Sequence, residues 1–259
     1  DEVFNCIQKN SNVGYSTELF GKDNHADRLI TYAASFGNTT LEKLEKYQKA
    51  GEVGNLLKEF DAISVRDANS GSIVEQFTGE EPVYNLDPVL TYDYMNCCDR
   101  IPQIEATEKY LILYAYAGRI SNEEADWIAE YAKKKNLKVY AIGGIQKCAD
   151  RFVDCSPFEV LAYFRNAEEV ITDTFHGSIF SVITHRPFTT LIRKSVGNSY
   201  GNEEKLSDLL NRLVLTERMT TKVEDTERIN QQPIDYKKVD DVLQKQREIA
   251  KKYLQNNIE

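Results

Sequence analysis

Of the three histidines, His25, His176 and His185, only His176 stands in a setting that suits chemistry. It lies in Asp173-Thr174-Phe175-His176-Gly177-Ser178, directly after the apolar run Val170-Ile171-Thr172. An imidazole titrates near neutral pH, so one ring can give and take a proton within one reaction. Gly177 has no side chain, which lets a ligand or a neighbouring backbone come close. A helix expected to open at Ser178 would turn its unpaired N–H groups towards an anion. Arg66 ends the run Asp61-Ala62-Ile63-Ser64-Val65-Arg66. Its guanidinium suits bidentate binding of a carboxylate or phosphate, against the plainer reading of a surface ion pair with Asp67. Asp87-Pro88 ends another apolar run, where the plainer reading is a turn cap. Arg193 and Lys194 follow a run that starts at Pro187-Phe188, and they either add positive charge to a site or form a solvated loop. His25, in a polar loop, and His185, before Arg186-Pro187, read as structural.

Such residues need elements to position them, and the chain repeats strand, loop, helix, strand. Leu29 to Ala34 reads as a strand ending at Ser35-Phe36-Gly37. Thr39 and Thr40 offer an N-cap for a helix through Leu41, Leu44 and Tyr47, and Val53, Leu56, Leu57 and Phe60 have helical spacing. Residues 61–66 form the next strand, Ser70 to Phe77 a short helix closed by Gly79, and Val83 to Leu86 a further strand. The polar stretch 91–108 marks a domain junction. Beyond it, Tyr110 to Tyr116 reads as a buried strand, and Ser121-Asn122-Glu123-Glu124 has the capping-box form. Leu137 to Ile142 is a strand, Ser156-Pro157 opens a helix to Asn166, and Val170 to Thr172 is a strand. A helix over 178–184, a strand through Thr189 to Ile192 and a C-terminal helix over 236–255 complete the pattern. Alternating strands and helices predict parallel sheets covered on both faces, with ligands at the carboxyl ends of strands. Arg66, Asp87 and His176 all fall at such ends.

A net charge of −9 without a long basic run argues against a nucleic-acid partner. No run approaches the ~20 apolar residues that span a bilayer, and Asp1-Glu2-Val3-Phe4-Asn5 lacks a signal pattern. The five cysteines form neither an even disulfide framework nor a CxxC pair, and Cys97-Cys98 read as free thiols in a loop. These features predict a reduced, soluble, cytoplasmic protein without a metal site.

The segment Ile171-Thr172-Asp173-Thr174-Phe175-His176-Gly177-Ser178-Ile179-Phe180-Ser181, with Arg186-Pro187-Phe188 after it, resembles the signature of the polysaccharide pyruvyl transferase family. That signature is a strand, a Ser/Arg-Phe/Leu-His-Gly turn, a helix and a Pro-Phe strand. Residues 30–37, Ile63-Ser64-Val65-Arg66-Asp67, Leu86-Asp87-Pro88-Val89-Leu90, 206–210 and Leu215-Thr216-Glu217-Arg218 match further pieces in the expected order. The resemblance runs from the first residue to about 220. It implies an α/β fold of two Rossmann-like domains of GT-B type with parallel sheets: 1–100, completed by the helix at 236–255, and a donor-binding domain over 105–230. Asp1 to Asn5 matches the end of the family's Gly-Ser-Asp-Gln-Val-Trp-Asn stretch, so the first domain is expected to be incomplete.

The resemblance further implies transfer of pyruvate from phosphoenolpyruvate, as a ketal, onto a sugar of a bacterial cell-surface polysaccharide or its lipid-linked precursor. His176 and Arg66 match the family's phosphoenolpyruvate-contacting pair and are the expected catalytic residues. Phe175, Gly177, Ser178, Asp87, Arg193 and Lys194 form the expected binding set. Lys205 stands near where relatives often carry arginine. No cofactor is expected beyond phosphoenolpyruvate as donor substrate, no transmembrane segment, and a cytoplasmic location that includes peripheral contact with the inner membrane face. Two readings compete: a GT-B glycosyltransferase using a nucleotide sugar, and a non-catalytic sugar-binding remnant.

Overall fold

A computed structural model describes residues 2–7, 16–105, 107–194 and 202–258. The chain divides into two units, one of Asp1–Thr91 with Val242–Glu259 and the other of Tyr92–Asp241.

In the first unit, Thr40 caps α1 (Leu41–Lys46), its hydroxyl accepting from the Lys43 N–H at 3.3 Å. The helix α2 (Ala50–Leu57) and the short strand β1 (Ser64–Val65) follow. Next, α3 (Ala68–Thr78) runs from the cap Asp67 to a left-handed Gly79, before β2 (Val83–Tyr84). The two strands pair in parallel, Val65 opposite Tyr84. Phe4 stacks on Phe20 at 4.3 Å, and with Phe36, Leu44, Val53, Leu57, Val65 and Ile73 they form the core. Each such side chain contributes about 1.5–3 kcal/mol by leaving water. The strand expected over 29–34 is reduced to bridges at Ile30 and Ala34, because Ala33 has a left-handed φ of 49° that breaks the extended run.

The second unit opens with α4 (Tyr94–Cys97), which carries the first cysteine of the pair expected in a loop. Its main body then alternates: β3 (Tyr110–Tyr114), α5 (Asn122–Lys134), β4 (Lys138–Ile142), β5 (Arg151–Phe152), α6 (Pro157–Asn166), β6 (Glu169–Thr172), α7 (Phe175–Ile183) and β7 (Phe188–Leu191). After these come α8 (Glu203–Arg212), β8 (Met219–Thr220) and α9 (Thr226–Gln231). All six strands are parallel, in the order β5-β4-β3-β6-β7-β8. Successive residues of β3 face opposite sides. Leu111 and Leu113 pack with Ile128, Tyr131 and Ala132 of α5. Tyr114, on the other side, meets Phe164 of α6 and Phe180 of α7 at ring distances of 6.0 and 6.1 Å. Helices therefore cover both faces, which is why these strands read as continuous apolar runs. The expected α/β architecture with parallel sheets is what the strand pairing shows.

The last helix, α10 (Tyr236–Ile258), contributes its later residues to the first unit: Tyr253 donates its hydroxyl to the Thr31 carbonyl at 2.7 Å, and Arg247 Nε donates to the Leu90 carbonyl at 3.0 Å. No helix among the described residues is long and apolar enough to cross a membrane.

Candidate active site

The winding of the second unit reverses between β3 and β6, with β4 and β5 on one side and β7 and β8 on the other. At such a switch point the loops leaving the two strands part, and a crevice opens at their carboxyl ends. The sequence after β6 lies at this end of the sheet. Thr172 donates its hydroxyl to the Tyr114 carbonyl at 2.8 Å, tying the ends of β6 and β3 together. Thr174, with extended φ and ψ, is the N-cap of α7, and its Oγ1 accepts from the Gly177 N–H at 2.9 Å. The helix thus begins at Phe175, three residues before the expected Ser178, and His176 sits within its first turn.

This early start changes what each motif residue does. A side chain at Gly177 would collide with the Thr172 and Thr174 hydroxyls, so the glycine serves a close approach of side chains from its own motif. Ser178 is buried, with its Oγ 2.9 Å from Thr190 Oγ1 and bonded to the Thr174 carbonyl. Phe175 is buried, with the Lys205 ammonium 6.0 Å from its ring centre. His176 is partly exposed, its ring 5.6 Å from that of Phe175 and 6.0 Å from that of Phe180. Lys194 is exposed.

Arg193 is more engaged than a strand-end cation in solvent. Its Nη1 and Nη2 donate to the two oxygens of Glu124 at 2.6 and 3.1 Å. Glu124 also accepts from the Ser121 N–H at 2.9 Å, so the capping-box glutamate of α5 doubles as the anchor of Arg193. Buried Asn202 accepts from the Arg193 N–H at 2.6 Å and donates to the Asp173 carbonyl at 2.6 Å, joining the ends of β6 and β7.

Asp173 is the residue in this cluster that pattern reading left without a role. It is wholly buried, and neither carboxyl oxygen has a hydrogen-bond partner among the described residues. Arg119, in the loop after β3, and Arg193 Nε each lie 3.9 Å from its Oδ2. Burial pushes its pKa up to about 6; the two arginines pull it down and Glu124 pushes it up. Arg119 was equally legible, since Ala117-Gly118-Arg119 directly follows a buried strand.

In the first unit, Arg66 and Asp87 do meet. They follow β1 and β2, and Arg66 Nη1 lies 2.7 Å from Asp87 Oδ2, with side chains only 4% and 3% exposed. The other Asp87 oxygen accepts from the Val89 N–H at 3.0 Å. Asp67, the expected surface partner, instead caps α3 and accepts from the Ser35 hydroxyl at 2.6 Å. The remaining histidines are accounted for elsewhere. His25 is exposed, and His185 stacks on Tyr236 at 4.3 Å with Nε2 3.0 Å from Asp240.

The polysaccharide pyruvyl transferase family model matches residues 9–195, well over half of the chain. No curated protein sequence matches it. Among solved structures, the chain is similar to the glycotransferase of kitacinnamycin (10% identity, TM-score 0.46, covering 81% of this chain and 57% of that one). It is also similar to a structure described as a UDP-N-acetylglucosamine 2-epimerase from Listeria monocytogenes (11%, 0.42, 83% and 65%). A third is Phytolacca americana UGT2 complexed with UDP-2fluoro-glucose and pterostilbene (13%, 0.40, 80% and 51%). The chain thus spans between about half and two thirds of the length of each of these structures.

Proposed function

Because the chain belongs to the polysaccharide pyruvyl transferase family, we propose that it moves pyruvate from phosphoenolpyruvate onto two hydroxyls of one sugar as a ketal. The observation that carries this reading is the family match running through Asp173 to Ser178, the segment that lines the switch point of the six-stranded sheet. The acceptor is a sugar of a bacterial cell-surface polysaccharide or its lipid-linked precursor, and the reaction takes place in the cytoplasm or at the inner membrane face. No cofactor takes part.

The donor brings a carboxylate and a phosphate, so its site needs cations and oriented N–H groups. A proton delivered to C3 of the enol makes C2 electrophilic. One sugar hydroxyl attacks C2, the C2–O bond to phosphate breaks, and a second hydroxyl closes the ketal. Of the two hydroxyl protons, one balances the proton gained by C3 and the other leaves with phosphate. His176, in the first turn of α7, acts on the donor as its acid or as its phosphate ligand. Arg66 holds a donor anion and stabilises the developing charge, with Asp87 fixing its guanidinium. Phe175, Gly177 and Ser178 shape the start of the helix, and Arg193 and Lys194 supply positive charge. Residues 105–230 form the donor-binding domain, and residues 1–100 with the C-terminal helix supply Arg66 and take part in receiving the sugar.

The test is mass spectrometry of candidate sugars incubated with phosphoenolpyruvate and the protein. The expected result is a pyruvate-ketal product, reduced on the order of 10²–10⁴-fold in His176→Ala. A His176→Asn variant that binds phosphoenolpyruvate without turning it over would assign proton transfer, and one that no longer binds it would assign the phosphate contact. Transfer from a nucleotide sugar with no ketal product would replace the reading by that of a glycosyltransferase.

A further inference from the structure

We propose that Asp173 is a positioning residue that couples the seating of an anionic group on Arg119 and Arg193 to the uptake of a proton by its own carboxyl. The proposal deepens, and rests on, the reading of the second unit as the part that takes the phosphorylated carboxylate donor. Buried carboxylates are normally satisfied by hydrogen bonds, because an unpaired charge away from water is costly. Asp173 is wholly buried and has none among the described residues. Two guanidiniums stop 3.9 Å short of it, and Arg193 Nε, aimed at it, is itself buried without a hydrogen-bond partner. Glu124 holds the rest of Arg193 in place, and Arg119 lies 5.0 Å from the Tyr116 ring. The arginines therefore bracket the carboxyl without closing on it, at the carboxyl ends of β3 and β7, on either side of β6.

The charge balance decides what this arrangement favours. With Asp173 ionised, Arg119 and Arg193 are cancelled by Asp173 and Glu124, and an entering anion gains little. With Asp173 protonated, one positive charge is left over. The charged groups facing Asp173 are Arg119 from the β3–α5 loop, Glu124 from α5 and Arg193 from the segment after β7. His176 follows it in the first turn of α7. An anion on the arginines raises the proton affinity of Asp173. Above pH 6, where the free carboxyl is mainly ionised, binding must therefore take up a proton, and affinity falls by up to about tenfold per pH unit as pH rises.

Sulfate is the probe, because its charge is constant across the range and its binding needs no phosphoenolpyruvate chemistry. Calorimetric titration at pH 7.5 and fixed ionic strength, in buffers of different ionisation enthalpy, is expected to show uptake of up to one proton per sulfate bound. Asp173→Asn is expected to bind sulfate at least as tightly, without proton uptake and with an affinity independent of pH between 6 and 8.5. Arg119→Gln, which keeps the buried carboxyl, is expected to lose at least tenfold in affinity. Sulfate binding without proton uptake, the same uptake in Asp173→Asn, undiminished affinity in Arg119→Gln, or no saturable binding at all would each overturn the proposal. Proton-linked sulfate binding in a protein that forms no ketal would leave this inference standing and remove the pyruvyl-donor reading instead.

Discussion

Each unit holds a buried aspartate beside arginine at a strand's carboxyl end, and the two are built to opposite effect. Asp87 is closed: one oxygen takes Arg66 at 2.7 Å and the other takes the Val89 N–H at 3.0 Å. Asp173 is open: two arginines wait at 3.9 Å, and among the described residues no hydrogen bond reaches either oxygen. The same residue types therefore make a locked ion pair in one place and an unsatisfied charge in the other. A locked pair offers a ligand a guanidinium fixed in orientation. An unsatisfied one keeps its response for what arrives. In both places arginine and aspartate pair as ions, but only at Asp87 do hydrogen bonds close the pair.

The closed pair carries more of the stability than the open one. Arg66→Met takes the cation at 2.7 Å from the buried Asp87 carboxylate, and Asp87→Leu takes the carboxylate at 2.7 Å from the buried guanidinium. Either should cost about 3–5 kcal/mol, read as a fall in the urea midpoint, and the double variant should recover most of it. If either single variant unfolds like the wild type, the pair is not closed in the sense described.

The open side should respond with the opposite sign. A carboxyl whose folded pKa is about 6 rather than 3.8 penalises the ionised folded state. The penalty is complete above pH 6, shrinks between 6 and 4, and vanishes once both folded and unfolded forms are protonated. Asp173→Asn should therefore stabilise the protein at pH 8 by at most roughly 3 kcal/mol and have no effect near pH 3. Denaturant titrations at the two pH values check this, and a loss of stability at pH 8 would mean the arginines satisfy the carboxylate after all.

Little of this contrast could be read from local pattern. The elements that carry it could be: the apolar run at Tyr110, the Ser-x-x-Glu boxes at Ser121 and Ser156, and the glycine at 79 all announce themselves through short-range chemistry. Partner choice is decided at longer range. Arg66 has Asp67 next to it in sequence, yet β1 and β2 pair so that Asp87 lies within reach and Asp67 turns to cap its own helix. Glu124 reads as a capping residue and is one, but its carboxylate also holds Arg193, which the strand order brings across the sheet. The start of α7 at Phe175, ahead of the expected Ser178, has a similar cause. Thr174 and Ser178 are both competent caps. The bond between Thr172 and Thr174, with Gly177 leaving room for it, selects the first. Ala33 gives no warning at all, since nothing in its type foretells a left-handed φ.

A substitution at Glu124 alters the open site without touching its carboxyl. Glu124→Gln keeps the side chain's size and leaves an oxygen to accept from Ser121, so the helix cap largely survives and stability should fall by only about 1 kcal/mol. It removes a negative charge that pushes the Asp173 proton affinity up, and it frees the Nη groups of Arg193 to turn inward. Both changes act in the same direction, so Asp173 should titrate below its wild-type midpoint of about 6. Carbon-detected NMR of the side-chain carboxyl across pH 4–8 reads that midpoint directly. A downward shift would show that Glu124 raises the Asp173 midpoint, by its own charge together with its hold on Arg193. An unchanged midpoint would mean that Asp173 is raised by burial alone, and the difference between the two aspartates would then lie in how deeply the second is buried rather than in how its arginines are held.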